Sequence, residues 1–228
     1  MKKVFYLLAM VLVIGACGNN SGSNKSKGVD SEREANRARL AREAFVRDSL
    51  KRDQEIKDSI ALAEKNAEII ARVSKSFNQK KDEFSTKTWI EPKSAPKYRN
   101  RNGVYCYFST EDGKAGSNLR FVFQYYADDW LFIKSMIFNI DDEIITITPD
   151  METDNGDGMI WEWFDLKVSK NSIDGITEDL IKKIANAQSV KVKMNGRQYY
   201  DTRTLSKEQI KSIKDTYDYF TALGGEVI

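Results

Sequence analysis

Histidine is absent from this chain of 228 residues. Without histidine, the chain cannot form a Ser-His-Asp or Cys-His catalytic site, a histidine-ligated zinc site or the usual proton shuttle near neutral pH. No nucleophile motif, glycine-rich phosphate loop or metal-ligand spacing takes its place. The sequence therefore predicts no catalytic residue, no metal site and no other cofactor.

Cysteine is nearly absent as well, with only Cys17 and Cys106 in the chain. Two cysteines are too few for a four-cysteine metal site or a disulfide framework. Cys106 lies in "VYCYF", between aromatic residues of a predicted strand. We expect it to be a small buried hydrophobic side chain, because no base or cation that would activate a thiol stands next to it.

An excess of charge of either sign is also missing. The formal net charge is +2, but Lys2 and Lys3 belong to a segment that we expect to be removed. Without them, Lys and Arg number 34 and equal the 34 Asp and Glu. A neutral mature protein lacks the basic surface that nucleic acids require, so we expect no nucleic-acid partner.

The N-terminus has the layout of a secretory signal peptide. Lys2 and Lys3 precede an apolar run from Val4 to Ala16, and this run ends in small residues before Cys17. The run has 13 residues, fewer than the roughly 20 that a transmembrane helix needs. We therefore predict a signal peptide at 1–16.

The order Ile14-Gly15-Ala16-Cys17 resembles the lipobox of bacterial lipoproteins. This resemblance implies that Cys17 receives a lipid after the signal is cleaved before it, and that the protein is anchored in a membrane. Gly18 stands where the family's inner-membrane retention signal would have Asp, which implies the outer membrane. The alternative is an ordinary signal peptide with an incidental cysteine near its cleavage site.

A tether and a helical spacer are predicted to follow the lipid site. Residues 17–30 include the Gly/Ser/Asn-rich stretch "GNNSGSNKSKGV", which is typical of a flexible tether. Residues 31–80 form the predicted spacer, since 31–77 lacks Pro and Gly and is rich in helix-forming residues. The phrases "RDSL" and "KDSI" resemble Asp-Ser-rich helical spacers of Bacteroidota envelope proteins. The spacer is either a stalk that can self-associate through its apolar positions or a helix whose last turns pack on the domain that follows.

Residues 81–228 are predicted to form one α+β domain. Five strand candidates separated by short turns indicate an antiparallel meander, in which Leu119, Phe121, Phe123 and Tyr125 share one face. Two C-terminal helices follow, with Thr177 capping one and a Ser206/Gln209 capping box opening the other. Between them, Asn195-Gly196 predicts a two-residue type I′ turn. We expect both helices to cover one face of the sheet.

One acidic loop is a candidate cation site. Calcium loops hold the ion with alternating carboxylates around a glycine, and this loop contains Asp150, Glu152, Asp154 and Asp157. The EF-hand spacing fails. Counting from Asp150, the sixth position is Asn155 rather than Gly, and the twelfth is Trp161 rather than Glu. In a simple meander Asp128 and Asp129 would lie at the same end of the sheet. We favour a solvated hairpin loop and keep the cation site as the alternative.

Trp161 and Trp163 are the candidate contact residues. They share one face of their strand, where they either stack on a ligand or anchor a partner, or else pack in the core. Glu162 between them points to the opposite face, and we expect it to be a polar residue of a half-buried strand. Asp141, Asp142 and Glu143 lie some 20 Å along a strand from the Asp150 loop, too far apart for paired acid catalysis.

These features predict an outer-membrane lipoprotein whose α+β domain is a non-catalytic binding or scaffolding module of the cell envelope. An envelope protein or a glycan is the expected partner. The alternative is a hydrolase that acts on glycan or peptide through carboxylates.

Overall fold

The computed structural model describes residues 27–228, and it describes side chains from residue 31 onward. The chain divides into two compact units, the first ending at Asp58 and the second comprising Ser59–Ile228. The predicted signal peptide at 1–16 and the lipid site Cys17 lie outside the described residues. Residues 27–30, which we predicted as tether, are helical.

Helix α1 (Lys27–Val73) precedes ten strands and two further helices. The first strands are β1 (Phe77–Lys81), β2 (Lys87–Pro92), β3 (Gly103–Glu111), β4 (Lys114–Ala127) and β5 (Ser135–Ile140). They are followed by β6 (Glu143–Ile147), β7 (Glu152–Gly156), β8 (Met159–Lys167), helix α2 (Glu178–Asn186), β9 (Val190–Asn195), β10 (Tyr200–Thr204) and helix α3 (Lys207–Ala222). The α+β class, the antiparallel strands, the long N-terminal helix and the two C-terminal helices are confirmed.

The first unit contains the N-terminal part of α1. Every side chain from residue 31 to 58 is exposed. Surface pairs one turn apart, such as Arg39 with Glu43 at 3.9 Å, each contribute about 0.3–0.5 kcal/mol. Helix propensity and such local pairs therefore account for this part of α1. Among residues 27–228, no helix combines the length and the apolar character that crossing a membrane requires.

The predicted helix reached Phe77, but α1 ends at Val73 and Phe77 opens β1. The Phe77 side chain is buried, and its ring centroid lies 5.2 Å from that of Tyr219. Strand pairing and burial override helix propensity at this point. Val73 is buried, and Ile69 and Ile70 pack against the core, as expected if the last turns of the helix join the domain.

The strands form two sheets rather than one meander. The six-stranded sheet has the order β1-β2-β3-β4-β8-β7, and the four-stranded sheet has the order β10-β9-β5-β6. Each named strand pair is antiparallel. The connection at 128–134 carries the chain from one sheet to the other, which the short gaps between strands did not reveal.

One core joins the two sheets and the C-terminal helices. The predicted face of β4 is buried, with Leu119, Phe121, Phe123 and Tyr125 each at most 6% exposed. The Phe121 ring lies 6.5 Å from Phe138 of the second sheet. Helix α3 packs on β3, where Phe108 contacts both Tyr219 and Phe220 edge-on at 5.6 Å.

The helix caps predicted from the sequence are present, whereas the predicted two-residue turn at Asn195-Gly196 is not. Thr177 accepts a hydrogen bond from the Leu180 N–H, and Ser206 and Gln209 form the capping box. Strand β9 ends at Asn195 and β10 begins at Tyr200, so four residues connect them. Gly196 does not have a positive φ; it is required because a Cβ there would lie 2.0 Å from the Leu131 carbonyl oxygen.

Candidate functional site

Strand β8 divides its side chains between the core and the outer face of the six-stranded sheet. Ile160, Glu162 and Phe164 are buried, while Trp161 and Trp163 are half-buried and belong to the opposite face. The tryptophan pair is therefore not part of the core. That the pair contacts a ligand or a partner remains a prediction.

A groove of about 600 Å³ lies on the same outer face, and we call it the sheet groove. Strands β1–β4 and residue 165 of β8 form its floor, and residues 82–84 and 96–99 form its rim. Five aromatic side chains line it: Phe84, Trp89, Tyr98, Tyr105 and Tyr107. The rings of Trp89 and Tyr107 lie 5.5 Å apart at an angle of 52°, while Tyr98 and Phe84 are exposed at the rim.

Asp165 holds the polar side chains of the floor in place. Its Oδ1 accepts a 2.7 Å hydrogen bond from Arg120, and its Oδ2 accepts one of 2.8 Å from the Tyr107 hydroxyl. Arg99 of the rim approaches the same oxygen at 3.4 Å. Burial and the hydrogen bond to Asp165 raise the pKa of Tyr107, so its hydroxyl remains a donor at neutral pH.

Glu91 is the second carboxyl group of the floor. Burial raises its pKa, and the nearby charge of Asp165 acts in the same direction. A carboxyl group with a raised pKa is a candidate proton donor. The sequence did not point to Glu91 because β2 gave no strand signal, and it did not point to Asp165 because the partners of Asp165 are far away in the chain.

Two buried polar atoms under the rim have no hydrogen-bond partner within the described part of the chain: Gln124 Oε1 and Trp163 Nε1. Gln124 lines the sheet groove and is only 2% exposed. The rim packs closely here, since a Cβ on Gly103 would lie 2.7 Å from Pro96 and 2.8 Å from Gln124 Oε1. Arg99 lies over the Trp163 ring at 5.3 Å.

No family model matches this sequence, and no curated protein or solved structure matches it either. The chemistry of the sheet groove must therefore be inferred from its own residues.

Glu162 differs from our expectation of a half-exposed polar residue. It does point away from both tryptophans, but it is fully buried. Its carboxylate accepts backbone hydrogen bonds from Leu131 at 2.8 Å, Phe132 at 2.8 Å and Ile133 at 2.7 Å. These bonds fix the connection between the two sheets, in which Phe132 adopts a φ of 52°. Three backbone donors explain how a carboxylate is accommodated in the interior.

The acidic segment 150–157 contains edge strand β7 rather than an open loop. Strand β7 pairs with β8 through the two-residue turn Asp157-Gly158, where both residues have positive φ. Asp128 lies near this turn, because Ala127 pairs with Ile160, whereas Asp150 precedes the other end of β7. Extended backbone separates these acids instead of gathering them. Across residues 27–228, no group of three His, Cys, Asp or Glu side chains could hold a metal ion.

Cys106 is fully buried, as the sequence predicted. Burial raises the pKa of its thiol, so the thiolate required for nucleophilic chemistry is disfavoured.

Proposed function

We propose that this protein is a bacterial outer-membrane lipoprotein, anchored through Cys17, whose Ser59–Ile228 unit is a non-catalytic binding or scaffolding module. The motif Ile14-Gly15-Ala16-Cys17 supports the anchor. The sheet groove carries the binding role, because five aromatic side chains line it together with Gln124, a buried side chain whose Oε1 lacks a partner in the described structure. Ligand sites combine apolar walls with a few fixed polar groups in this way.

The arrangement of Asp165 favours binding over catalysis. Both of its oxygens accept hydrogen bonds, from Arg120 and from Tyr107. A carboxylate engaged in this way positions other side chains and is not free to attack a substrate. The Tyr107 hydroxyl donates its only proton to Asp165, so its oxygen is left to accept a hydrogen bond from a ligand in the groove.

The N-terminal helix supports a spacer role. All side chains from 31 to 58 are exposed and the segment is dense in charge, as a spacer helix requires. A tether and spacer of this kind would give a lipid-anchored module access to ligands away from the membrane surface.

The binding role can be tested by photo-crosslinking in the native envelope. The photo-reactive residue p-benzoylphenylalanine replaces Tyr98 at the groove rim in one variant and Tyr199 in a matched control. Both tyrosines are exposed, by 59% and 70%, but only Tyr98 lines the sheet groove. We expect a reproducible adduct from position 98 alone. Adducts at neither position, or the same adducts at both, would contradict the proposal.

The anchor has a separate test. Cys17→Ala should leave an unlipidated protein that no longer fractionates with the outer membrane. Retention of that variant in the outer membrane, measured by sucrose-gradient fractionation and immunoblotting, would refute lipid anchoring through Cys17.

A second candidate function, hydrolysis of a glycan or peptide, is favoured by one observation. Glu91 and Asp165 line the same groove, and the pKa of Glu91 is raised by burial and by the charge of Asp165. In this case Glu91 would be the proton donor. Release of new reducing ends or new amino termini from envelope polymers that disappears in Glu91→Gln would replace the binding proposal with the hydrolase.

A further inference from the structure

We infer that the ligand of the sheet groove is a neutral, hydroxyl-rich glycan, an inference that rests on the proposed binding function. Three properties of the groove lead to this class of ligand: its charge balance, its exposed aromatic rings and the hydrogen-bonding atoms left without partners beneath its rim.

The charges of the sheet groove cancel. Its lining has four basic residues, Lys80, Lys81, Lys97 and Arg99, and four acidic ones, Asp82, Glu83, Glu91 and Asp165. Some of these are already paired with each other, as Arg99 is with Asp165 at 3.4 Å. A polyanion or polycation would meet as much repulsion as attraction here, whereas a neutral polymer would not.

The aromatic rings suit the apolar faces of sugar rings. Trp89 and Tyr107 form adjacent half-buried surfaces on the floor, 5.5 Å apart. Phe84 is 98% exposed and Tyr98 is 59% exposed, and both border the same space. Rigid amphipathic rings provide contact area with little loss of side-chain entropy, and their faces accept C–H groups of a pyranose.

The atoms without partners require both a donor and an acceptor. Gln124 and Trp163 are register partners on β4 and β8, so their side chains project from the same face. Gln124 Oε1 needs a donor and Trp163 Nε1 needs an acceptor. A hydroxyl group is both at once, and a sugar carries several of them on neighbouring carbons. Of the two residues, Gln124 lines the groove, so a sugar hydroxyl there can donate to its Oε1.

A peptide fits this site less well than a glycan. Extended peptides usually bind sheets by adding a strand at an edge, where backbone groups are unpaired. The sheet groove lies on the face of β1–β4, whose inner strands β2, β3 and β4 are paired on both sides. Over these three strands side chains rather than backbone groups must recognise the ligand, and among β1–β4 only the edge strand β1 has backbone groups without a strand partner on one side.

The test starts from the full-length lipoprotein in detergent, applied to an array of neutral, acidic and basic oligosaccharides. The strongest neutral binder is then titrated while tryptophan fluorescence is recorded, because Trp89 lies in the groove. We expect binding confined to neutral glycans, with an affinity that changes less than twofold between 0.05 and 0.5 M salt, since no ion pairs are formed or broken.

Exposed rim residues provide variants that leave the fold unchanged. We expect Phe84→Ala and Tyr98→Ala each to weaken binding about tenfold, the size typical of a buried aromatic contact. The matched controls Ile173→Ala and Tyr199→Ala remove side chains that are 100% and 70% exposed away from the groove, and they should leave affinity unchanged. Gln124→Met, checked for folding by urea denaturation, should also weaken binding about tenfold.

The outcomes separate this inference from the proposed function. Failure to bind any neutral oligosaccharide, while position 98 still crosslinks to a protein or a charged polymer, overturns the glycan inference and leaves the binding function standing. Failure of both experiments overturns both. Glycan binding that is equally strong in the rim variants overturns the assignment to the sheet groove.

Discussion

The buried carboxylate of Glu162 provides the sharpest test of the structure. In Glu162→Gln the side chain keeps its shape, but one oxygen that accepts a backbone hydrogen bond becomes an NH₂ group. That group then faces an N–H of the segment Leu131–Ile133, to which the carboxylate is bonded at 2.7–2.8 Å. The substitution therefore leaves one backbone N–H without its acceptor, places a buried NH₂ donor opposite it, and removes the charge from the remaining bonds.

The expected loss of stability can be worked from these three bonds. A buried N–H without a partner costs about 1–3 kcal/mol, and loss of charge assistance costs about 1 kcal/mol for each of the other two bonds. A neutral amide is easier to bury than a carboxylate, which offsets part of this cost. We therefore expect Glu162→Gln to lower the free energy of unfolding by about 2–4 kcal/mol, a large share of the 5–15 kcal/mol of typical domains.

Urea denaturation, followed by tryptophan fluorescence in an unlipidated Cys17→Ala background, measures this difference. Glu152→Gln is the matched control, because Glu152 is an exposed carboxylate on the neighbouring strand β7. We expect the control to stay within about 0.5 kcal/mol of the parent protein. A Glu162→Gln variant as stable as this control would refute the role that we assign to the three hydrogen bonds.

Four further predictions address the core, a helix cap, the thiol and pH dependence. Phe108→Ala should lower the free energy of unfolding by about 3–5 kcal/mol, against less than about 0.5 kcal/mol for the exposed Phe84→Ala, both by urea denaturation. Ser206→Ala removes the capping box of α3 and should cost about 1 kcal/mol in the same assay; no change would contradict the cap. In the unlipidated background, Cys106 should react with Ellman's reagent only after denaturation, and rapid labelling of the native protein would disprove its burial. Burial raises the pKa of Glu91 above 4.5, so its protonated form favours folding; stability should fall as pH rises from 4.5 through the raised pKa, and Glu91→Gln should remove that part of the fall.

Local sequence signals predicted the elements that depend on neighbouring residues. The alternation of Leu119, Phe121 and Phe123 identified the buried face of β4 because a period of two is a property of the strand itself. The caps at Thr177 and Ser206 were predictable for the same reason, since a cap and its partner lie within one helical turn. The alternation also placed Glu162 opposite the tryptophans, but it could not tell which of the two faces is the core.

The sheet groove could not be predicted because it is assembled from distant segments. Tyr107 and Asp165 are 58 residues apart in the chain and share a hydrogen bond. The "KTWIEP" segment of β2 shows no clear alternation of apolar residues and ends in Pro92, so it gave no strand signal. Gly196 was misassigned because Asn-Gly suggests a tight turn, whereas the carbonyl that crowds it belongs to Leu131 in another part of the chain.

The order of the strands has a consequence for how the protein folds. Neither sheet is formed by one continuous stretch of chain. In the sequence, β5 and β6 of the four-stranded sheet lie between β4 and β8 of the six-stranded sheet. Strand β9, which pairs with β5, follows β8 and α2. Six of the eight strand pairs join consecutive strands, but the pairs β4–β8 and β5–β9 must wait for a partner that is distant in sequence, which slows folding through the entropy of loop closure. We expect both sheets to form in a single slow, cooperative transition, and a chain truncated after β8 to lack its second sheet.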